Sequence, residues 1–312
     1  MSFPARGRAR ILILAALLAL PAMTARNADA AASITPQNSQ TLQVASTSTS
    51  RTRTHRTHRA RRAPPGGVYA RNAVVFDPAT GEVLYEKNAA LSVPIASITK
   101  LMTAMVFLEQ KPDFDREVEV TMAEISGGGH TQLRNHERVA IGDLMHMSLM
   151  CSDNVATRVL VRESGKPMED FLARMNQKAL ELGLTHSRFV EITGLDERNV
   201  STATDVARLL QAAASQELVR DITTTPSYEF RSSRRAHLIS NTNRLLYGRY
   251  EILGGKTGFI SEAGYCLVTW VRTQGREFIA VVLGAPTNAT RFADVVRLIQ
   301  RTTAPTVAST NS

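Results

Sequence analysis

The chain has 312 residues, 43% hydrophobic and 21% charged, with a formal net charge of +9. That length serves one or two domains with a full core, and the composition fits a globular enzyme. The charge is uneven: residues 1–66 hold ten Lys and Arg against one acid, Asp29, and the remainder holds 27 bases and 27 acids. A folded part of zero net charge gives no reason to expect a polyanion-binding face, so nucleic acid is not an expected partner.

Residues 1–30 read as a secretory signal. Arg6, Arg8 and Arg10 form a basic start, Ile11 to Leu20 is an apolar run, and Ala28-Asp29-Ala30 is a small-x-small cleavage site. Ten apolar residues are short for a bilayer-spanning helix, and an uncleaved anchor is the alternative. Residues 31–67 are rich in Ser, Thr, Gln and Ala, then in Arg between Arg51 and Arg62, and end in Pro64-Pro65-Gly66-Gly67. Such a stretch cannot bury a core and reads as a disordered linker. Its arginines suggest contact with an anionic wall polymer or membrane surface; a soluble spacer is the plainer reading. A folded domain is expected over 68–302, followed by a polar tail, 303–312.

Within the domain, Asn72–Asp77 and Glu82–Lys87 alternate around Asp77-Pro-Ala-Thr-Gly81 and read as a hairpin. A helix starts near Ser97 and carries Met102, Met105, Val106 and Leu108 at helical spacing. Helices follow over Ile141–Cys151, Val155–Glu163, Met168–Leu182 and Thr202–Ala214. Thr202 with Asp205 resembles a capping box in which Asp replaces the usual Glu or Gln. Glu251–Thr257, Gly264–Val271 and Glu277–Leu283 read as strands, and Ala289–Arg301 as a last helix. Early strands, a helical middle and late strands predict an α+β fold. It has one antiparallel sheet drawn from both ends of the domain, with a helical insertion between. Cys151 and Cys266 are expected as buried thiols, with a disulfide as the alternative. No His/Cys cluster has metal-ligand spacing, and no cofactor is implied.

Three short segments carry chemistry. Ser97-Ile-Thr-Lys100 puts an amine one turn from a hydroxyl on one helix face. A serine needs a base to become a nucleophile, and a lysine serves only if its pKa falls. Taken alone, the pair is equally a cap serine and a solvated lysine. Ser152-Asp153-Asn154, after an apolar helix, offers a hydroxyl to relay a proton and an amide to orient a carbonyl; alone it is a common polar turn. Lys256-Thr257-Gly258 lies inside Gly254-Gly255-Lys-Thr-Gly-Phe259, where glycines admit a close backbone approach. A phosphate loop is ruled out, because the run lacks the earlier glycine and lies between strands.

In this order the three segments resemble those of penicillin-binding proteins and serine β-lactamases. The chain is similar to the low-molecular-mass penicillin-binding proteins of the D-alanyl-D-alanine carboxypeptidase/endopeptidase family from about Tyr69 to Ile299. The similarity includes Ala96-Ser-Ile-Thr-Lys100-Leu-Met-Thr-Ala104, Thr193-Gly-Leu195, Ser201-Thr-Ala-Thr-Asp205 and Ala263-Gly-Tyr-Cys-Leu-Val268. The resemblance implies a five-stranded DD-peptidase fold. It implies Ser97 as nucleophile, Lys100 as base and Ser152 as proton relay. Asn154 would hold the substrate peptide. Lys256 would keep the site electropositive and lower the pKa of Lys100, and Thr257 would bind the substrate carboxylate. The N–H groups of Ser97 and Phe259, beside Gly258, would form the oxyanion hole. Arg291 stands where some carboxypeptidases of the family hold a carboxylate; a helix-surface arginine is the alternative.

The implied reaction is acyl transfer on peptidoglycan stem peptides in the periplasm, with β-lactams as inhibitors. Phe259 and the polar end of the chain resemble the short endopeptidase-type members. Two rivals stay open. A serine β-lactamase shares the three segments, but no Glu-x-x-Leu-Asn lies between Ser152 and Lys256. A non-catalytic wall-binding protein would not need Ser97, Lys100, Ser152 and Lys256 together.

Overall fold

A computed structural model describes residues 67–303; the signal, most of the linker and all but the first residue of the tail lie outside them. Five antiparallel strands form the central sheet: β1 (Asn72–Phe76), β2 (Val83–Lys87), β3 (Glu251–Ile260), β4 (Gly264–Thr273) and β5 (Arg276–Ala285), in the order β2-β1-β5-β4-β3. The expected architecture holds: β1 and β2 come from the start of the domain and β3–β5 from its end. Successive side chains on a strand point to opposite faces. Ile279, Val281 and Leu283 of β5 therefore join the core on one face, and Phe278, Ala280 and Val282 the core on the other. Both faces are covered, so β5 reads as a continuous apolar run.

The larger core lies between the sheet and the helical insertion, which holds α1 (Thr99–Leu108), α2 (Ile141–Leu149), α3 (Asn154–Glu163), α4 (Met168–Glu181), α5 (Ala203–Ala214) and α6 (Glu217–Thr224). The C-terminal helix α7 (Asn288–Thr303) covers the opposite face with Phe292, Val295, Leu298 and Ile299. Helix α1 is buried on every side from Thr99 to Phe107, as an apolar helix in the middle of a domain must be. Its second residue, Lys100, is buried with it, and this exception leads to the site.

Several expectations shift. The helix expected over Ile141–Cys151 ends at Leu149, because Ser152 turns into the left-handed region (φ 65°) and Asp153 caps α3, Oδ1 accepting from Ala156 N at 2.9 Å. Strand β3 continues three residues past Thr257, since Phe259 and Ile260 still pair with Tyr265 and Gly264. Thr202 does cap α5, accepting from Asp205 N at 3.0 Å. Asp205 does not complete the box; its carboxylate takes His186 N and Ser187 Oγ at 2.9 and 3.0 Å. Helix α6 and a ribbon, Ser227–Arg231 paired with Ala236–Ser240, were not foreseen. Both cysteines are free, Cys266 buried and Cys151 half-buried. Among the described residues, no helix is long and apolar enough to cross a membrane.

Candidate active site

Ser97 is not a helix cap. It sits in a 3₁₀ turn, Ala96–Ile98, ahead of α1, and neither flanking cap residue makes a side-chain capping bond. Ala96 holds φ 49°, the sparsely populated left-handed region for a residue with a Cβ. Backbone strain of this kind concentrates at functional sites, and Ser152 shows it too. The Ser97 hydroxyl faces Lys100 Nζ, 3.1 Å away.

The Lys100 side chain is wholly buried. Its Nζ also donates to Asn154 Oδ1 at 2.6 Å and to Thr193 O at 2.7 Å. A neutral amine has two N–H bonds and one lone pair. With two fixed acceptors on the N–H bonds, the lone pair is left for Ser97. Burial pushes the Lys100 pKa down to about 7, while the Glu191 and Asp153 carboxylates pull it upward. Burial is thus the main cause. Lys256, also buried, is itself held well below the usual lysine range, by burial first and by the charge of Lys100 second.

Lys256 Nζ donates to Ser152 Oγ at 2.8 Å and to Thr257 O at 3.0 Å. Ser152 thus stands between β3 and α3. Asn154, the first residue of α3, has its amide fixed at both ends, Oδ1 by Lys100 and Nδ2 by Gly128 O at 3.0 Å. Thr257 Oγ1 lies 2.6 Å from Thr242 Oγ1, and Thr242 also donates to Met150 O at 3.1 Å. No sequence signal pointed to Thr242, and Thr193 stood only within the Thr193-Gly-Leu195 segment of the resemblance with no role assigned; both reach the site across long stretches of chain. A Cβ on Gly258 would lie 2.9 Å from Ile95 O and 3.1 Å from Ser97 N. Only glycine lets the edge of β3 press against the Ser97 amide. Phe259 is exposed, its ring stacked on Tyr265 at 4.2 Å.

Arg291 is not a helix-surface residue. It is 7% exposed, and its guanidinium donates to Gly258 O at 3.0 Å and Cys266 O at 3.3 Å, braced over Tyr265 and Phe292. It ties together the ends of β3 and β4 from behind. Among the described residues, no group of three or more His, Cys, Asp or Glu side chains is placed to hold a metal ion.

A buried lysine beside a serine carried on a strained turn, a second serine–lysine pair and a strand edge against the serine amide are the parts of a serine–lysine acyl-transfer enzyme. A family profile described as D-alanyl-D-alanine carboxypeptidase, peptidase S11, matches residues 57–287. The D-alanyl-D-alanine endopeptidase of Pseudomonas aeruginosa is 40% identical over 232 residues, 73% of this chain and 75% of that one. The D-alanyl-D-alanine endopeptidase of Escherichia coli is 35% identical over the same shares. The crystal structure of Streptomyces K15 DD-transpeptidase superimposes with a TM-score of 0.72 at 26% identity, covering 75% of this chain and 97% of that one. Cefotaxime-bound penicillin-binding protein D2 of Listeria monocytogenes gives 0.65 at 31% identity, covering 75% and 97%. The chain belongs to the peptidase S11 family of serine D-alanyl-D-alanine peptidases.

Proposed function

We propose that Ser97 attacks the carbonyl between two D-alanine residues, or between D-alanine and a cross-linking diamino acid, in peptidoglycan stem peptides. The observation that carries this reading is the Lys100 amine, wholly buried, 3.1 Å from Ser97 Oγ, with both its other polar contacts fixed. Lys100 takes the hydroxyl proton as Ser97 Oγ bonds to the carbonyl carbon. The resulting oxyanion is held by the N–H groups of Ser97 and Phe259; one such donor contributes about 10²–10³ in rate. Ser152, in contact with Lys256, passes its proton to the leaving amine as the C–N bond breaks and regains the one that Lys100 took, so that neither side chain is left charged by the step. The product is an ester on Ser97, which water hydrolyses. Asn154 works chiefly through Lys100, and Thr257 faces the substrate carboxylate. Endopeptidase action is the preferred form, supported by the 40% and 35% identity to endopeptidases and by the exposed Phe259. Residues 1–30 direct export to the periplasm, and residues 31–67 form a linker to the catalytic domain.

A fluorescent penicillin should label the wild type and leave Ser97→Ala unlabelled. A wild type that resists labelling would sink the proposal. Digestion of purified muropeptides then separates the activities by product mass: cross-linked dimers becoming monomers mark an endopeptidase, and loss of one D-Ala marks a carboxypeptidase.

A further inference from the structure

The direction of the Lys100 lone pair depends on two acceptors, and only one of them has an obvious anchor. Asn154 projects from the capped start of α3. Thr193 O belongs to irregular chain between α4 and α5, where no ladder of backbone bonds holds it. Thr103 Oγ1 holds the preceding carbonyl, Ile192 O, at 2.6 Å, and one carboxylate holds the amides that follow. Glu191 Oε1 accepts from Thr193 N at 2.8 Å, and Glu191 Oε2 accepts from Gly194 N at 2.7 Å and Leu195 N at 3.1 Å. Three consecutive amides converge on one carboxylate, which fixes the peptide plane whose carbonyl meets Lys100.

The backbone of Glu191 is itself anchored. Buried Asn199 accepts from Val190 N and Glu191 N at 2.7 and 3.0 Å, and its Nδ2 donates to Glu191 O at 2.7 Å and Thr99 Oγ1 at 3.2 Å. Thr99 adjoins Lys100 on α1. The turn also touches the serine's side of the site. Gly194 has φ 87°, and a Cβ there would stand 2.0 Å from Ala96 O and 2.8 Å from Ser97 N. One short segment thus supplies the lysine's acceptor and backs the strained turn that carries Ser97.

We infer that Glu191 is a positioning residue for the acyl-transfer reaction: through Thr193 O it aims the Lys100 amine at Ser97. The inference rests on the proposed roles of those two residues. An electrostatic benefit does not explain the carboxylate, because a negative charge beside Lys100 favours the ammonium form, which cannot accept a proton. The gain has to come from geometry, where a displacement near 1 Å costs on the order of 10²-fold in rate.

The test compares acylation by a fluorescent penicillin across pH in wild type, Glu191→Gln and Glu191→Asp, with thermal midpoints recorded alongside. In Glu191→Gln the side chain offers one acceptor and turns an NH₂ toward backbone N–H groups. We expect its plateau acylation rate to fall by roughly 10–100-fold, with the acid limb moved to lower pH because a carboxylate near Lys100 is gone. Glu191→Asp keeps the charge but not the reach; its rate should fall while its acid limb stays in place. Should Glu191→Gln not fold, the loss of rate in Glu191→Asp carries the test alone. Either variant acylating at the wild-type plateau rate, or Glu191→Gln acylating faster at neutral pH, overturns the inference while leaving the proposed function intact. A wild type that fails to acylate overturns both.

Discussion

At the scale of single residues, the site turns on one buried amine. A lysine with a pKa near 7 is largely neutral just above that pH and can accept the Ser97 proton without a separate base. Acylation by a β-lactam should therefore rise through about pH 7 and level off above it; a rate that instead fell across that range would contradict Lys100 as the base. The same shift bears on stability. The folded pKa is about 7 and the ordinary value 10.5, so between them the unfolded chain binds more protons than the folded one. Stability contributed by this group then rises with pH across that window and is lost as pH falls through 7. Thermal midpoints at pH 7 and pH 9 should show this gain in wild type and less of it in Lys100→Met. An equal gain in the variant would place the effect elsewhere.

At the scale of elements, the catalytic groups are held by edges and ends. Strand β3 is the outer strand of the sheet, and its tip lies against the Ser97 turn only because Gly258 lacks a side chain. Arg291 secures that tip by donating to Gly258 O and Cys266 O. Arg291→Met removes a buried donor from two carbonyls, a loss of about 1–3 kcal/mol for each one left unsatisfied. Each kcal/mol corresponds to roughly 2–4 °C in a domain of this size. We expect a lowered thermal midpoint together with slower acylation, as β3 moves relative to Ser97. An unchanged midpoint, with a raised KM confined to substrates bearing a free carboxylate, would instead mark Arg291 as a carboxylate arm. Elements with strong periodicity were legible in the sequence, among them β1, α1 and β5. The ribbon Ser227–Arg231/Ala236–Ser240 was not, because its polar alternation resembles loop and each strand is defined only by its partner. Asp205 looked like a capping-box residue by local spacing, yet the loop at 186–187 claims its carboxylate.

At the scale of the whole molecule, both hydrophobic cores draw on residues between Val68 and Ile299, and every proposed site residue falls in that span. The excess positive charge lies before it. A chain beginning at Gly67 should therefore acylate at the full-length rate. A large loss of acylation would show that the preceding segment supports the catalytic domain.

The sequence by itself determined the fold class and the three segments that carry Ser97, Lys100, Ser152 and Lys256, because their chemistry is written in local spacing and chain order. It could not reveal what tunes them. Burial depresses the Lys100 pKa, and burial is a property of packing. The acceptor Thr193, its anchor Glu191, the hydroxyl of Thr242 and the inward turn of Arg291 are contacts between distant parts of the chain. Only the tertiary structure brings them together, since hydrogen bonds act over about 3 Å of space whatever the separation in sequence.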